Sequence, residues 1–147
     1  MSFTGGNLPG LDEAIKKLNQ MIDNTGKATA KGLTDAGMNI LGTAVERAPV
    51  DKGPLRESGY LYVGDEFIAG GSENGGTYFA GRACDYAESA IVEFAEPYAK
   101  IQHEHVEFNH PKGGQAKYLE SAVNSEQGSV LRSISERYEE LLKGGGD

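Results

Sequence analysis

From Leu11 the apolar residues fall at Ile15, Leu18, Ile22, Leu33, Ala36, Ile40, Leu41 and Ala44, with Thr25 and Thr29 keeping the rhythm across the gap. That spacing is one stripe of an α-helix. Carried from Pro9 to Ala48, such a helix would approach roughly 60 Å at about 1.5 Å per residue, more than most domains of this size need. Gly26, Gly32, Gly37 and Gly42 interrupt the stretch, and each costs about 1 kcal/mol against alanine in a helix interior. Either the helix breaks near Asn24, or close approach to a sheet or a neighbouring element compensates for the glycines. Pro49 ends it in both cases, because the residue before a proline is pushed out of the helical region.

Between Gly59 and Phe94 the period shortens. The runs YLYV (60–63), EFIAG (66–70), TYFAG (77–81) and AIVEF (90–94) are rich in Tyr, Val, Ile and Phe, which suit a half-buried pleated surface. GGSENGG (70–76) separates two of them and reads as a flexible hairpin loop, so an antiparallel meander is expected. Deletion of 70–76 is accordingly expected to leave the monomer folded while impairing any assembly. After Glu96 and Pro97, PYAKIQHEH returns to helical spacing, with Tyr98 and Ile101 inward and proline in the first turn. NHPKGG breaks the chain again. QAKYLESAV then reads as a helix with Ala116, Leu119 and Val123 inward, and a last helix from about Ser125 carries Val130, Ile134, Tyr138 and Leu141 up to Gly144, a natural stop.

The expected fold is therefore α+β: a long N-terminal helix packed on a small antiparallel β-sheet, with C-terminal helices completing the layer. At 147 residues the chain is the size of one domain. Of the 21 glycines, eleven cluster at 5–6, 70–76, 113–114 and 144–146. They divide the chain into a flexible N-terminus (1–10), a single domain (11–142) with a long loop region at about 64–89, and a flexible Gly-rich tail (143–147). With 38% hydrophobic residues and no tryptophan, the core is thin.

A net charge of -8 argues against a protein that grips nucleic acid through its phosphates, since that affinity comes from Lys and Arg. The lone Cys84 cannot form an internal disulfide, which suits a reducing compartment. No charged start is followed by a continuous apolar run in the first 30 residues, and no stretch approaches 18 apolar residues. A soluble, unexported chain is expected, with no membrane partner.

Catalytic patterns are weak. His103, His105 and His110, with Glu104 and Glu107 between them, are the one cluster with metal-ligand chemistry, and a metal-dependent enzyme built on them is the alternative from another functional class. In a helix His103 and His105 would lie about 200° apart, whereas zinc-binding helices place ligands at i and i+4. Glu93, Glu96 and Glu104 offer carboxylates for acid–base work without a spacing that pairs them. Ser58 lacks a nucleophile-elbow context, and Cys84 has no base partner in sequence. GGSENGG leads into a strand, where a phosphate loop would open a helix. No catalytic residue, metal or cofactor is expected, and no small-molecule substrate.

Three segments carry a resemblance. ERAPVDKGPLRESG (46–59) resembles the A-P-V-D-x-G-x-L-R-x-S signature of the tailed-bacteriophage tail-completion proteins, a family also labelled head-tail connector, neck or minor capsid proteins. YAKIQHE (98–104) and GGQAKYLESAV (113–123) resemble the family's later motifs, in the same order, so the likeness spans about residues 11–142. The stretch 64–89 departs from it, with extra Gly, Ser and acidic residues that leave the strand count open. The resemblance implies a virion structural protein rather than an enzyme. It would complete the tail or neck at the head–tail junction by oligomeric ring assembly, with host cytoplasm as its place before assembly. Its partners would be copies of itself and neighbouring neck, tail or connector proteins, with passing DNA contacted only non-specifically. A head-completion or minor capsid position nearer the portal is the alternative within the class, and a host-interaction protein outside the particle is a third.

The candidate interface residues on these segments are Asp51, Gly53, Leu55, Arg56, Gln102, Glu104, Gly113 and Gly114. Each has a local role beside the interfacial one. Asp51 would cap the turn at Gly53, Leu55 would fill the core, and Arg56 would pair with Asp51 or Glu46 or else reach a partner. Gln102 and Glu104 are free to face a neighbour, and Gly113 and Gly114 let the chain turn tightly before Tyr118 and Leu119 anchor the next helix. Loops 64–89 and 106–115 and the termini are the segments expected to order on docking. An acidic ring lumen would let the duplex slide without binding phosphate.

Overall fold

Leu11–Arg47 is one uninterrupted helix, α1, of 37 residues, about 55 Å long at 1.5 Å per residue. The computed structural model describes residues 9–49, 53–96, 99–104, 115 and 117–144. After α1 come α2 (Gly53–Glu57), strands β1 (Gly59–Val63), β2 (Glu66–Gly71), β3 (Thr77–Phe79) and β4 (Ala90–Phe94), then α3 (Ala99–Glu104) and α4 (Tyr118–Lys143). The sheet has the order β3-β2-β1-β4 and every pairing is antiparallel. The α+β expectation holds, and the stretch 64–89, whose strand count was open, contributes two of the four strands, β2 and β3.

The glycines do not break α1, because close neighbours stand opposite them. A Cβ added at Gly32 would lie 2.7 Å from the Cα of Ile134 in α4, so the two helix backbones approach as only glycine permits. At Gly37 the space is taken by the Leu61 side chain of β1. α1 is thus the central element, meeting the sheet along one side and α4 along another. Leu61, Val63, Ile68 and Ala69 of the sheet are buried against Ala30, Leu41 and Val45 of α1.

α4 runs antiparallel to α1. Contacts step from Tyr138 against Thr29, through Glu126 against Thr43 (2.9 Å), to Ser121 against Arg47 (3.2 Å). Arg137 grips Asp35 with two parallel bonds, 2.7 and 3.1 Å, a geometry in which guanidinium and carboxylate match edge to edge. The hydrogen bond to Asp35, above all, raises the Arg137 pKa.

Two expectations about α4 are corrected. It is one helix, with no break at Ser125, whose hydroxyl instead donates to the Ala122 carbonyl one turn back. Its inward register also differs, since Ala122 is fully buried while Val123 is 43% exposed. A closely approaching helix pair selects small residues at the contact, and Ala122 and Ser133 supply them. Val130, Ile134, Tyr138 and Leu141 are half-buried, and Ile134 and Tyr138 meet Gly32 and Thr29 of α1.

The β1–β2 hairpin turns at Gly64, whose φ of 58 is left-handed. Pairing of Leu61 with Ala69 and of Tyr62 with Phe67 leaves Ile68 as the extra residue of a β-bulge. The bulge puts both Ile68 and Ala69 in the core. Beyond Leu61 the pairs alternate regularly, so that Tyr60, Tyr62, Phe67, Tyr78, Ile91 and Glu93 stand on the face away from α1.

The region 70–76 is shorter and firmer as a loop than the sequence suggests. Gly70 and Gly71 belong to β2 and pair with Tyr78 and Thr77. Residues 72–76 form a tight turn closed by Ser72 N–H to Gly76 O (2.8 Å) and Gly75 N–H to Ser72 O (3.0 Å). Deleting 70–76 would therefore remove sheet pairing along with the turn. Among the described residues no helix is long and apolar enough to cross a membrane.

Candidate functional site

The segments 46–59, 98–104 and 113–123 are far apart in sequence, yet their described residues meet at the C-terminal end of α1. An α-helix leaves its last carbonyls without partners in its own ladder. Arg56 answers two of them: Nε donates to the Ala48 carbonyl (3.0 Å) and Nη2 to that of Glu46 (2.8 Å). A cation at this end also suits the helix dipole. The short helix α2 is what swings Arg56 back to these carbonyls, and Ser58 closes α2 by donating to the Leu55 carbonyl (2.8 Å).

Arg56 is 8% exposed. Among the described residues it bonds the main-chain carbonyls of Ala48 and Glu46, the latter in place of the expected Glu46 carboxylate, while the expected pairing with Asp51 lies outside the described residues. Leu55, with 1% exposure, fills a second small core with Ala48, Ala99 and Tyr118. Phe94 and Leu119 flank that core.

Tyr118 is the hub of the junction. Its ring meets Phe94 edge-on at 4.9 Å and His103 at 5.1 Å, and its hydroxyl donates to the Ala99 carbonyl (2.9 Å). His103 ties α3 to the start of α4. Its Nε2 accepts from the Glu120 backbone N–H (3.1 Å), one of the donors left over at a helix N-terminus, and its Nδ1 bonds Glu104 Oε1 (2.9 Å). A lone pair on Nε2 and a proton on Nδ1 satisfy both bonds together.

Lys117 precedes α4 in a left-handed conformation, φ 56, unusual for a residue with a side chain. It is held there from both ends, with its N–H donating to the His103 carbonyl (2.6 Å) and its ammonium to Glu104 Oε2. The ammonium bond, then that from His103, holds the Glu104 carboxyl below its usual range. The bond to Glu104, first of all, raises the Lys117 amine above its usual range. On α1, the Arg47 carbonyl accepts from Gln115 N–H (2.7 Å), while its guanidinium reaches Ser121.

Of the expected interface residues, the structure thus brings Leu55, Arg56 and Glu104 into one junction. Gly53 opens α2, and Gln102 lies in α3 with its side chain outside the described set. Asp51, Gly113 and Gly114 lie outside the described residues, as do Tyr98, His105 and His110. Glu104 bonds His103 and Lys117 within its own chain, with its side chain still half-exposed. Its carboxyl shifts away from the raised value that a general acid needs. Both ring nitrogens of His103 already have partners, and among the described residues no group of three potential ligands is placed to hold a metal.

Two surface features escaped the sequence reading. One is the outward face of the sheet, where Phe67 touches the rings of Tyr60, Tyr62 and Tyr78 at 5.6, 5.6 and 6.4 Å. Its signal was the tyrosines alternating with Leu and Val in YLYV, which make both faces of the strand apolar. The other lies along the N-terminal half of α1, between two apolar grooves of about 560 and 400 Å³. Tyr86 lies along one groove, and Leu141 and Leu142 along the other. Comparison with family models, curated proteins and solved structures found no match to this chain.

Proposed function

We propose that this chain is a structural subunit of a tailed bacteriophage, which completes the tail or neck at the head–tail junction by assembling with copies of itself into a ring. The observation that carries the reading is the meeting of the three family-like segments on one junction around Tyr118. Residues that share a motif because they build one joint are expected to converge in this way, and here they do so through main-chain carbonyls, a helix start and a small core.

The junction spends its polar groups on holding α1, α3 and α4 together and leaves recognition to the outer surfaces. That division suits a component whose work is matching shape with neighbours. Its acidity fits a ring traversed by DNA, since a negative lumen does not retain phosphate. A ring of the purified chain with a basic lumen would sink that part of the reading. The test of the whole is to look for the chain in purified virions and to find its place by electron microscopy. A ring between head and tail supports the proposal, density nearer the portal favours the head-completion variant, and absence from the particle overturns both.

A further inference from the structure

The sheet ends in two edge strands, β3 on one side and β4 on the other. Along the β1–β4 ladder Ala95 N–H donates to Ser58 O (3.0 Å) and Gly64 N–H to Ser89 O (2.9 Å). Bonded positions alternate in an antiparallel pair, so Ile91 and Glu93 bond β1, while Ala90, Val92 and Phe94 turn their N–H and C=O groups outward. At the other edge Ala80 N–H donates to Ile68 O and Ser72 N–H to Gly76 O, both at 2.8 Å. Tyr78 is then the residue bonded to Gly70, and Thr77 and Phe79 turn their groups outward. Among the described residues no hydrogen bond reaches these outward groups. A row of this kind is a template for another strand, and neither edge carries a proline, a lysine or a bulge to deter one.

The two edges fit each other. Every pairing in the four-stranded sheet is antiparallel, so β3 and β4 run in opposite directions. A second sheet set beside the first in the same orientation therefore brings its β3 antiparallel to β4. The faces agree as well: Thr77 and Phe79 pair with Gly71 and Ala69 on the α1 side, and Ala90, Val92 and Phe94 pack on that same core. Opposite residues of a ladder share a face, so joining these positions keeps α1 of both copies on one side. Exposed apolar side chains gather at the edges too. Tyr78 and Phe79 of β3 and Ile91 of β4 are 48%, 56% and 53% exposed, whereas β1 and β2 hold no such residue. Setting Phe79 opposite Ala90, Tyr78 opposite Ile91 and Thr77 opposite Val92 joins open groups to open groups and puts an aromatic ring against a β-branched side chain, a stabilising cross-strand pair. Charge selects unlike edges over like ones. Residues 77–82 carry Arg82 and no carboxylate, whereas 88–96 carry Glu88, Glu93 and Glu96 and no cation. β4 paired with a second β4 about Val92 would set Glu88 opposite Glu96, like charge against like. In the β3–β4 register Arg82, which reaches Glu66 of its own sheet only at 3.8 Å, comes beside Glu88 of the next copy.

We propose that β3 of one copy pairs antiparallel with β4 of the next, so that the sheets of successive copies join edge to edge. This rests on the ring-forming reading and specifies its interface. Two different edges that complement each other make a heterologous contact, which closes into a ring when the rotation permits.

The test measures the mass of the full-length chain by light scattering and sedimentation. Thr77→Pro and Ala90→Pro each remove one outward N–H and leave the bonds inside the sheet, a position where an edge strand tolerates proline. Each is expected to dissociate at least about tenfold more readily than wild type, with circular dichroism unchanged. Mixed one to one, they form a dimer and stop there, because the first keeps an intact β4 edge and the second an intact β3 edge. Arg82→Glu weakens assembly, and adding Glu88→Arg restores it. As a check independent of those variants, Tyr78→Cys with Ile91→Cys on a Cys84→Ser background gives a covalent ladder of copies on mild oxidation. Within one chain the two positions stand three strand spacings apart, about 14 Å, too far for a disulfide. Rings that persist in both proline variants, a mixture that stays monomeric, or an oxidised sample without a ladder overturns the edge pairing while leaving ring assembly standing. A wild-type chain that remains monomeric or stops at a dimer overturns both.

Discussion

Replacing Gly32 and Gly42 of α1 by alanine, one at a time, sets the same gain in helix propensity against opposite surroundings. Alanine in a helix interior is favoured over glycine by about 1 kcal/mol, partly because the unfolded chain loses freedom. At Gly42 an added Cβ meets nothing within 4 Å, so the gain is realised in full. For a chain of this length about 1 kcal/mol shifts the melting midpoint by roughly 2–4 °C, and Gly42→Ala is expected to melt that much higher. At Gly32 the Cβ would stand 2.7 Å from the Cα of Ile134, which is backbone and cannot rotate away. The two helices must part locally by roughly 1 Å, and overpacking of this kind costs about 1–3 kcal/mol before the propensity gain is subtracted. Gly32→Ala is therefore expected to melt below wild type, with about 2 kcal/mol separating the two variants. Thermal and urea unfolding followed by circular dichroism measure the difference. A Gly32→Ala protein as stable as Gly42→Ala would refute the close approach of α1 and α4.

Removing the Arg56 guanidinium leaves the Glu46 and Ala48 carbonyls without their donor, and hydrogen bonding to a charged group contributes about 1.5–3 kcal/mol. Arg56→Ala should lose about 2 kcal/mol in urea unfolding yet still assemble below its midpoint; a neutral effect on stability combined with lost assembly would return Arg56 to an interfacial role. The Glu104 carboxyl, held below its ordinary value of 4.5 by Lys117 and His103, contributes stability that is present above that value and lost as pH falls through the lowered one. Melting midpoints of wild type and Glu104→Gln should differ at neutral pH and converge in acid, by a small amount because the pair is exposed; a gap that widens in acid would contradict the assignment.

The long helix and the four strands were legible because each rests on periodicity within its own segment. What compensates the glycines was not, since Ile134 and Leu61 lie far along the chain from Gly32 and Gly37. The register of α4 was misjudged for a related reason. Val123 is the more hydrophobic residue, but proximity to α1 rewards the smaller Ala122. The turn at 72–76 looked loose because its glycines were counted without the hydrogen bonds that close it and without the pairing that takes Gly70 and Gly71 into β2. In the junction, Leu55 and Tyr118 were readable as anchors from their apolar character. Arg56 and Glu104 were harder, because a charged residue's sequence does not disclose that its partners are a helix's last carbonyls or a lysine at the start of α4.

Electron microscopy of purified particles, with this chain located by a fused tag, tests the central claim most directly. The account predicts a closed ring of copies at the head–tail junction, traversed by the DNA path. Intact particles that contain none of the chain would contradict it.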